Sequence, residues 1–595
     1  MKGTIQRILQ FFQNILHKIK PLLSEQQFLY LSCVLVGISS ALAVVVLKAF
    51  AHGVFRFSSY LTALVQLPYF KSILPVIGIL LTIYVVKRFL GGRIEKGTAQ
   101  IMIAVAKRSG IMPKKQMYAQ IVTSSLTVGM GGSAGLESPI TITGAAFGSN
   151  YAQYYKFKYK HRTLLLACGV AAGIAAAFNA PIAGVLFAIE VVLADMSVTA
   201  FIPLLMAAAT GAIVGNLAFE ENLLIQFTNQ LSFDYHNTLY YIVLGVAAGF
   251  VCIYYARMFR KVENELSKRF SSDYMTGIVG ASLLALLIFV FPTLFGEGYE
   301  SIKSLANDNA TDLVEHSIFQ MWKGNSWIVW MIIILVMFVK AVATGLTLGS
   351  GGNGGNFAPS LFVGSYLGFA FSKFIELIGI KDLPIDNFTV VGMAAVLSGL
   401  FHAPLTGIFL IAEMTGGYGL IIPLMIVSSI SFAIAKYYDK YPMDLYKIAN
   451  KGIVFTSDKD RNLIDKILLS NHIRKDVKTL AYPFDFEQLK QMFITSGQYF
   501  IPIVNEKNHI LGIVHLKDVQ HLFVEQSVSQ NDLIELIQPI KPFSKKARTR
   551  NVLRYMDVTK NDLVLINDHH EYVGYVRKID LMETYRSNVR ELRVE

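Results

Sequence analysis

Charge is what this chain of 595 residues has little of: only 16% are Asp, Glu, Lys or Arg. A soluble domain carries roughly a quarter. With 53% of the chain apolar or aromatic, the deficit disfavours a soluble enzyme and argues against a disordered scaffold. Cysteine is scarce too. Cys33, Cys168 and Cys252 are odd in number, far apart in sequence and free of any C-x-x-C spacing. That pattern indicates neither a disulfide framework nor a zinc site, so no metal is expected. The three read as buried packing thiols. Acids are outnumbered: 54 Lys and Arg against 41 Asp and Glu leave a net charge of +13. Such an excess raises nucleic acid as a partner, but the cations are scattered through what read as membrane loops. Cytoplasmic loops favour Lys and Arg, so no nucleic-acid partner is expected. What remains is an integral protein of the lipid bilayer.

The deficit is uneven. Residues 447–595 hold 42 charged residues in 149, about 28%, whereas residues 1–446 hold 53, about 12%. A membrane body thus precedes a soluble-looking tail. Residues 1–26 carry Lys2, Arg7, Lys18 and Lys20 among apolar residues at helical spacing, which predicts a basic amphipathic helix on the cytoplasmic face. Apolar runs follow at about 27–52, 70–88, 162–194, 199–218, 237–256, 275–295, 326–348, 388–412 and 418–436. Several approach the roughly 20 residues a bilayer crossing needs. Others are short or broken by Gly and Pro, and broken helices at membrane depth are tolerated where they line a cavity or are buried in protein.

The body repeats itself. Gly131 to Pro139 and Gly351 to Pro359 both read G-G-x-x-G-x-x-x-P, 220 residues apart, and the match continues through Gly144/Gly364 and Gly148/Gly368. Phe178-Asn179-Ala180-Pro181 then matches Phe401-His402-Ala403-Pro404 and runs on to Glu190/Glu413, 223 apart. Matched halves with an interrupted helix in the same place point to a transport site between them. Glycines leading into a helix free backbone N–H groups for a ligand. The helix N-terminus adds about half a positive charge, which makes an anion site without a full cation. Glu137 stands out as the single acid between Gln116 and Tyr155. An ionisable group at membrane depth is a functional candidate. A carboxylate at an anion-binding helix terminus can occupy the anion's place, and protonation would release it. Glu190 and Glu413 read as paired structural carboxylates. Lys340 reads as a structural cation that snorkels to an interface, or as an anion attractor.

These motifs resemble the CLC family of chloride channels and proton-coupled chloride antiporters, over nearly the whole chain. Gly135-Leu136-Glu137-Ser138-Pro139 is similar to the family's G-[KR]-E-G-P, and Gly355-Asn356-Phe357-Ala358-Pro359 to its G-x-F-x-P. Gly296-Glu297-Gly298-Tyr299 and the block from Phe401 to Thr415 resemble further signatures. The resemblance implies an inverted-repeat homodimer with one anion pathway per subunit, and it makes Glu137 the gating and proton-carrying glutamate. It implies anion coordination around Gly135, Ser138, Gly355, Asn356, Phe357 and Ala358, with a tyrosine hydroxyl from Tyr446 or, alternatively, Tyr441. The family's first anion segment, G-S-G-x-P, aligns with Glu95-Lys96-Gly97-Thr98-Ala99, which puts Lys96 at the usual serine. The inward proton glutamate of many antiporters is Val191 here.

The tail also repeats. Gly512-Ile513-Val514 and Asp518 align with Gly574-Tyr575-Val576 and Asp580, 62 residues on, each within strand, turn, strand, helix. It resembles a pair of CBS domains. Such pairs often bind an adenine nucleotide, with a hydroxyl residue and an Asp in G-x-x-[ST]-x-x-D. Here His515 and Arg577 replace the hydroxyl residues while Asp518 and Asp580 remain. Asp518, Arg577 and Asp580 are therefore the candidate nucleotide contacts, beside a purely structural or dimerising reading that needs no cofactor.

The expected architecture is an all-α polytopic membrane protein with inverted repeats and broken helices, plus a cytoplasmic α+β CBS pair. The boundaries are an N-terminal helix at 1–26, a pathway domain at 27–446, a linker at 447–471, and CBS domains at 472–526 and 527–595. The expected activity is transport of chloride or a similar monovalent anion, gated by Glu137. Voltage- or pH-gated channel-like conduction is favoured by Val191; proton-coupled antiport is the alternative. A membrane receptor signalling through the tail is a second alternative, and no enzyme chemistry is expected because no nucleophile, base and orienting residue converge. The expected location is the cell (inner) membrane, with both termini cytoplasmic.

Overall fold

The first long helix begins where a capping box can close. The Ser24 hydroxyl accepts from Gln27 N–H and the Gln27 side chain accepts from Ser24 N–H, which satisfies two otherwise orphaned donors. The computed structural model describes residues 20–66, 69–92, 96–193, 198–218, 232–270, 272–315, 317–446, 449, 464, 467–524 and 530–594. The amphipathic helix expected at 1–26 therefore lies, up to residue 19, outside the described residues, as does most of the linker. The chain divides into two compact units, Met1–Ile453 and Val454–Glu595.

In the first unit the helices are α1 (Glu25–Val65), α2 (Leu74–Phe89), α3 (Ala99–Lys107), α4 (Gln116–Gly129), α5 (Glu137–Tyr154), α6 (Tyr159–Phe178), α7 (Pro181–Phe187) and α8 (Val198–Ala218). They continue with α9 (Thr238–Arg269), α10 (Asp273–Val290), α11 (Tyr299–Ala306), α12 (Ser326–Gly349), α13 (Phe357–Leu377), α14 (Ile385–Phe401), α15 (Pro404–Met414) and α16 (Ile421–Tyr438). Among the described residues, eight helical stretches are long and apolar enough to cross a membrane.

Two of the apolar runs break into two α-helices each. Run 162–194 breaks between α6 and α7, and run 388–412 between α14 and α15. The cause is the repeated F-x-A-P. Asn179 and His402 both take the left-handed conformation, at φ 53° and 54°, which ends a helix. Ala180 and Ala403, each before a proline, are pushed out of the helical region. Pro181 and Pro404 then start the next helix, where a missing N–H costs nothing. The matched glycines further along serve packing. A Cβ on Gly144 would lie 2.2 Å from Gly169 O, and one on Gly364 would lie 2.4 Å from Gly392 O. These pairs let α5 cross α6, and α13 cross α14, at backbone contact.

The relation between the halves is written in reciprocal bonds. Gly135 and Gly355 form an antiparallel bridge, N to O at 2.9 and 2.8 Å in the two directions. Thr127 Oγ1 accepts from Asn353 N–H at 3.0 Å, and Thr347 Oγ1 accepts from Ser133 N–H at 3.1 Å. The Glu190 carboxylate accepts from Leu405 and Thr406 N–H, and the Glu413 carboxylate from Ile182 and Ala183 N–H. Each contact has its mirror with the halves exchanged, which is the mark of a two-fold relation. It also fixes Glu190 and Glu413 as caps, each serving the opposite half's broken helix. Cys33 and Cys168, distant in sequence, meet with their sulfurs 3.8 Å apart, both fully buried.

The second unit carries two three-stranded sheets of the same design. β1 (Leu480–Ala481) runs parallel to β2 (Phe500–Val504), which pairs antiparallel with β3 (Ile510–His515). β4 (Phe543–Ser544), β5 (Leu563–Asp568) and β6 (Glu571–Arg577) repeat the order, and the register slips after Ile503 and again after Ile566. β1 and β4, two residues each, are too short to show as alternation in sequence. Phe500, Ile513, Leu565 and Tyr575 form a core shared by both sheets, with Phe500 and Tyr575 edge to face at 5.0 Å.

Candidate anion pathway and the tail cleft

The two glycine loops meet head to head at the Gly135–Gly355 bridge, so the N-termini of α5 and α13 start from one place. Gly131 and Gly351 turn each loop at φ +94° and +102°, a region that suits glycine. Glu137, at the start of α5, is 3% exposed. Its Oε1 accepts from the Tyr299 hydroxyl at 2.7 Å, and its Oε2 accepts from Ala358 N–H at 3.3 Å. The carboxylate of one half thus lies on the helix N-terminus of the other. Gly135 makes room for it, since a Cβ there would sit 2.0 Å from Oε2.

The neighbours balance the charge. Glu297, half-buried, accepts from Leu136 N–H at 2.9 Å. Lys340 is fully buried rather than snorkelling, and donates to Ser133 Oγ at 2.9 Å. Lys340 also acts electrostatically on Glu297, and Lys48 on both Glu137 and Glu297. Two acids and two ammonium groups share one buried region, which avoids an uncompensated charge.

The other expected residues fall into place unevenly. Ser138 has a buried hydroxyl without a hydrogen-bond partner among the described residues, and its Cβ is what a side chain on Gly355 would strike, at 2.5 Å. Phe357 packs its ring among Phe178, Phe187 and Phe401, with centroids 5.8, 6.0 and 5.7 Å away. Asn356 Oδ1 accepts from the Tyr255 hydroxyl at 3.2 Å. Tyr446, the tyrosine implied by the resemblance, carries the Arg260 guanidinium over its ring at 4.1 Å. Arg260 is itself paired with Asp439 at 2.9 Å. The tyrosine hydroxyl that reaches Asn356 is that of Tyr255. Lys96 donates to Gly351 O and Gly352 O, both at 2.8 Å, so it ties its segment to the second glycine loop. Val191 is buried at 8% exposed in a wide helical turn, Ala188–Leu193, and offers no proton carrier.

An open cavity of about 1220 Å³ adjoins Lys96 and Gly351. Its walls carry Lys87, Lys96, Arg108, Lys114 and Lys115 against one acid, Asp273, which pairs with Lys87 at 2.9 Å. Cations read from sequence as scattered thus converge here, and a cavity lined by one sign of charge concentrates anions.

Residues 77–436 match the family described as voltage gated chloride channel. The chain belongs to this family. It is an integral, multi-pass CLC protein of anion transport, a transporter family rather than an enzyme family, and the receptor reading is not carried further. Among curated relatives, a putative chloride channel protein ClcB-like from Ralstonia nicotianae is 29% identical over 56% of this chain and 74% of its own. An H(+)/Cl(-) exchange transporter ClcA from Vibrio campbellii is 27% identical over 58% of this chain and 72% of its own. Solved structures share the fold. A eukaryotic CLC transporter aligns over 93% of this chain and 97% of its own, at TM-score 0.61 and 19% identity. A slow cyanobacterial Cl-/H+ antiporter aligns over 71% and 97%, at TM-score 0.60 and 23% identity.

The tail of this CLC protein matches the CBS domain over residues 469–525, and the β4–β6 half repeats its topology. The aspartates singled out there are already engaged. Asp580 accepts from Arg577 (3.1 and 2.8 Å) and from Arg474 (2.8 and 3.0 Å). Asp518 accepts from Gln538 Nε2 at 2.9 Å. Arg577, and then Arg474, hold the Asp580 carboxyl down at about 2 against the opposing effect of burial. A carboxylate lowered on folding stabilises the fold above its ordinary value, near 4, and that contribution is lost as pH falls toward 2. Asp580→Asn is expected to speed amide exchange in β6 and the helix after it at pH 7, an effect on the order of 1 kcal/mol for partly exposed pairs. The same variant should remove the extra acid sensitivity of that exchange between pH 4 and 2.

Proposed function

We propose that this protein exchanges chloride, or a similar small monovalent anion, for protons, with Glu137 as the group both must use. The observation that carries the reading is the Glu137 carboxylate on the Ala358 N–H, where the helix terminus of the opposite half offers its positive end to an anion. A titratable group on that amide competes with the anion when charged and yields when protonated. The buried, unpartnered Ser138 hydroxyl supports an anion beside it. Channel-like conduction, favoured from Val191 alone, is now the second reading. The relative from Vibrio campbellii is named an exchanger, and an apolar Val191 excludes one proton route, not every route.

The reading includes a homodimer in the cell (inner) membrane with both termini cytoplasmic, on the family resemblance and the excess of Lys and Arg. It also takes the tail as a structural or dimerising module, because an adenine nucleotide at Asp580 would have to displace two arginines. The experiment is the reversal potential of the membrane current. An exchanger reverses between the chloride and proton equilibrium potentials and shifts with pH, whereas a passive channel reverses at the chloride value and ignores pH.

A further inference from the structure

A second carboxylate touches the same helix terminus as Glu137, and nothing in the exchange described so far uses it. Asp444 lies in the short turn Met443–Leu445, after α16. Its Oδ2 accepts from the Thr98 hydroxyl. It also lies within hydrogen-bonding reach of the Asn356 side chain, whose Oδ1 is taken by Tyr255, which leaves Nδ2 as the donor. Thr98 and Asn356 are 5% and 6% exposed, while Asp444 itself is only half-buried.

The surroundings of the two acids do not overlap. Glu137 is served by Tyr299, Lys48 and the Ala358 amide, with Glu297 and Lys340 beyond. Asp444 faces Thr98 from the segment entering α3, Asn356 before α13, and Tyr255 and Glu263 on α9. Only the start of α13 is common to both sets. Glu137 bonds the amide of Ala358, and Asp444 meets the side chain of Asn356, two residues earlier. Two cations border the Asp444 set: Arg260 on α9, over the Tyr446 ring and paired with Asp439, and Lys96, two residues before Thr98, which acts on Glu263 and lines the open basic cavity. Asp444, half-buried, keeps an exposed side that Glu137, at 3% exposed, lacks.

We propose that Asp444 is the proton carrier on the side of the α13 terminus away from Tyr299, in the role for which Val191 has no acid. The step is a plain proton transfer. Asp444 takes a proton from water on its exposed side and becomes a neutral acid. It then passes that proton, through a water at the helix terminus, to the Glu137 carboxylate, and is left ionised again. Glu137, neutralised, leaves the Ala358 amide to an anion. The two acids alternate in charge, so the terminus never faces two carboxylates and an anion together.

This inference rests on the exchange reading, and the test separates the two. Full-length protein is reconstituted in liposomes, and chloride and proton fluxes are recorded together under a chloride gradient. In Asp444→Asn, chloride flux is expected within about threefold of native while proton flux falls at least tenfold. Asp444→Glu should restore most of the proton flux. A structural cap would not split the two fluxes in this way. A native flux ratio in Asp444→Asn overturns the inference and leaves exchange standing. Native protein that moves no protons overturns exchange, and this role with it. If Asp444→Asn moves neither ion, Thr98→Val decides. Without its donor the charged carboxylate is less favoured, so the pH of half-maximal proton flux should rise, and an unshifted profile overturns the inference.

Discussion

Glu137→Gln is expected to abolish proton movement while an anion path stays open. The carboxamide has nearly the shape of the carboxylate, so the Tyr299 contact can persist. It has no charge to set against the α13 N-terminus and no proton to exchange. The charge-assisted bond to Ala358 N–H, stronger than its neutral counterpart by roughly twofold, is lost. An anion then meets a weaker competitor. Proton flux should drop at least tenfold, to background, and chloride flux should lose its dependence on pH. The check is the same paired recording of chloride and pH in liposomes. Proton flux at native level in this variant would remove Glu137 from the mechanism.

The second large effect is expected at a residue with no side chain. Gly135 is a bridge partner of Gly355, and it is also the floor under the Glu137 carboxylate. An alanine methyl would lie 2.0 Å from Oε2 and 2.9 Å from the Ala358 Cβ. Neither distance is tolerable, and the carboxylate is the more movable of the two. Gly135→Ala should therefore drive Glu137 off the Ala358 amide and reduce protons moved per anion at least tenfold, with anion flux surviving. Gly355→Ala is the comparison, because its methyl meets Ser138 instead, 2.5 Å from that Cβ. It should impair anion flux before it impairs coupling. Native coupling in Gly135→Ala would mean that the carboxylate does not work from this position.

Much of this was legible in the sequence because the determinants are local. G-G-x-x-G-x-x-x-P and F-x-A-P are backbone instructions, since each glycine or proline sets its own dihedral angles wherever the chain goes. Glu137 was legible for a different reason, as a lone acid in an uncharged stretch. The rest depends on what the fold brings together. Tyr299 reaches Glu137 across 162 residues, and Thr98 reaches Asp444 across 346, with no periodicity to announce either. Tyr446 came from the family resemblance, but the Arg260 guanidinium over its ring did not, and Tyr255, in the middle of an apolar helix, reads in sequence as core. The basic cavity is a nearer case, because Lys87, Lys96, Arg108, Lys114 and Lys115 all lie between residues 87 and 115 and only the fold turns them toward one space. The exchange of caps between Glu190 and Glu413 shows the opposite case. Their equal spacing in the two halves marked them as a pair, and only the two-fold relation shows that each serves its partner's helix.

The central claim is that one carboxylate couples proton to anion, and uphill transport tests it most directly. Purified protein is sealed in liposomes with a chloride gradient and no pH gradient, and internal pH is followed with the membrane potential clamped. The account predicts that chloride running down its gradient drives protons the other way until a pH difference stands, and that Glu137→Gln abolishes this pumping. Chloride flux with internal pH unmoved in the native protein would contradict it.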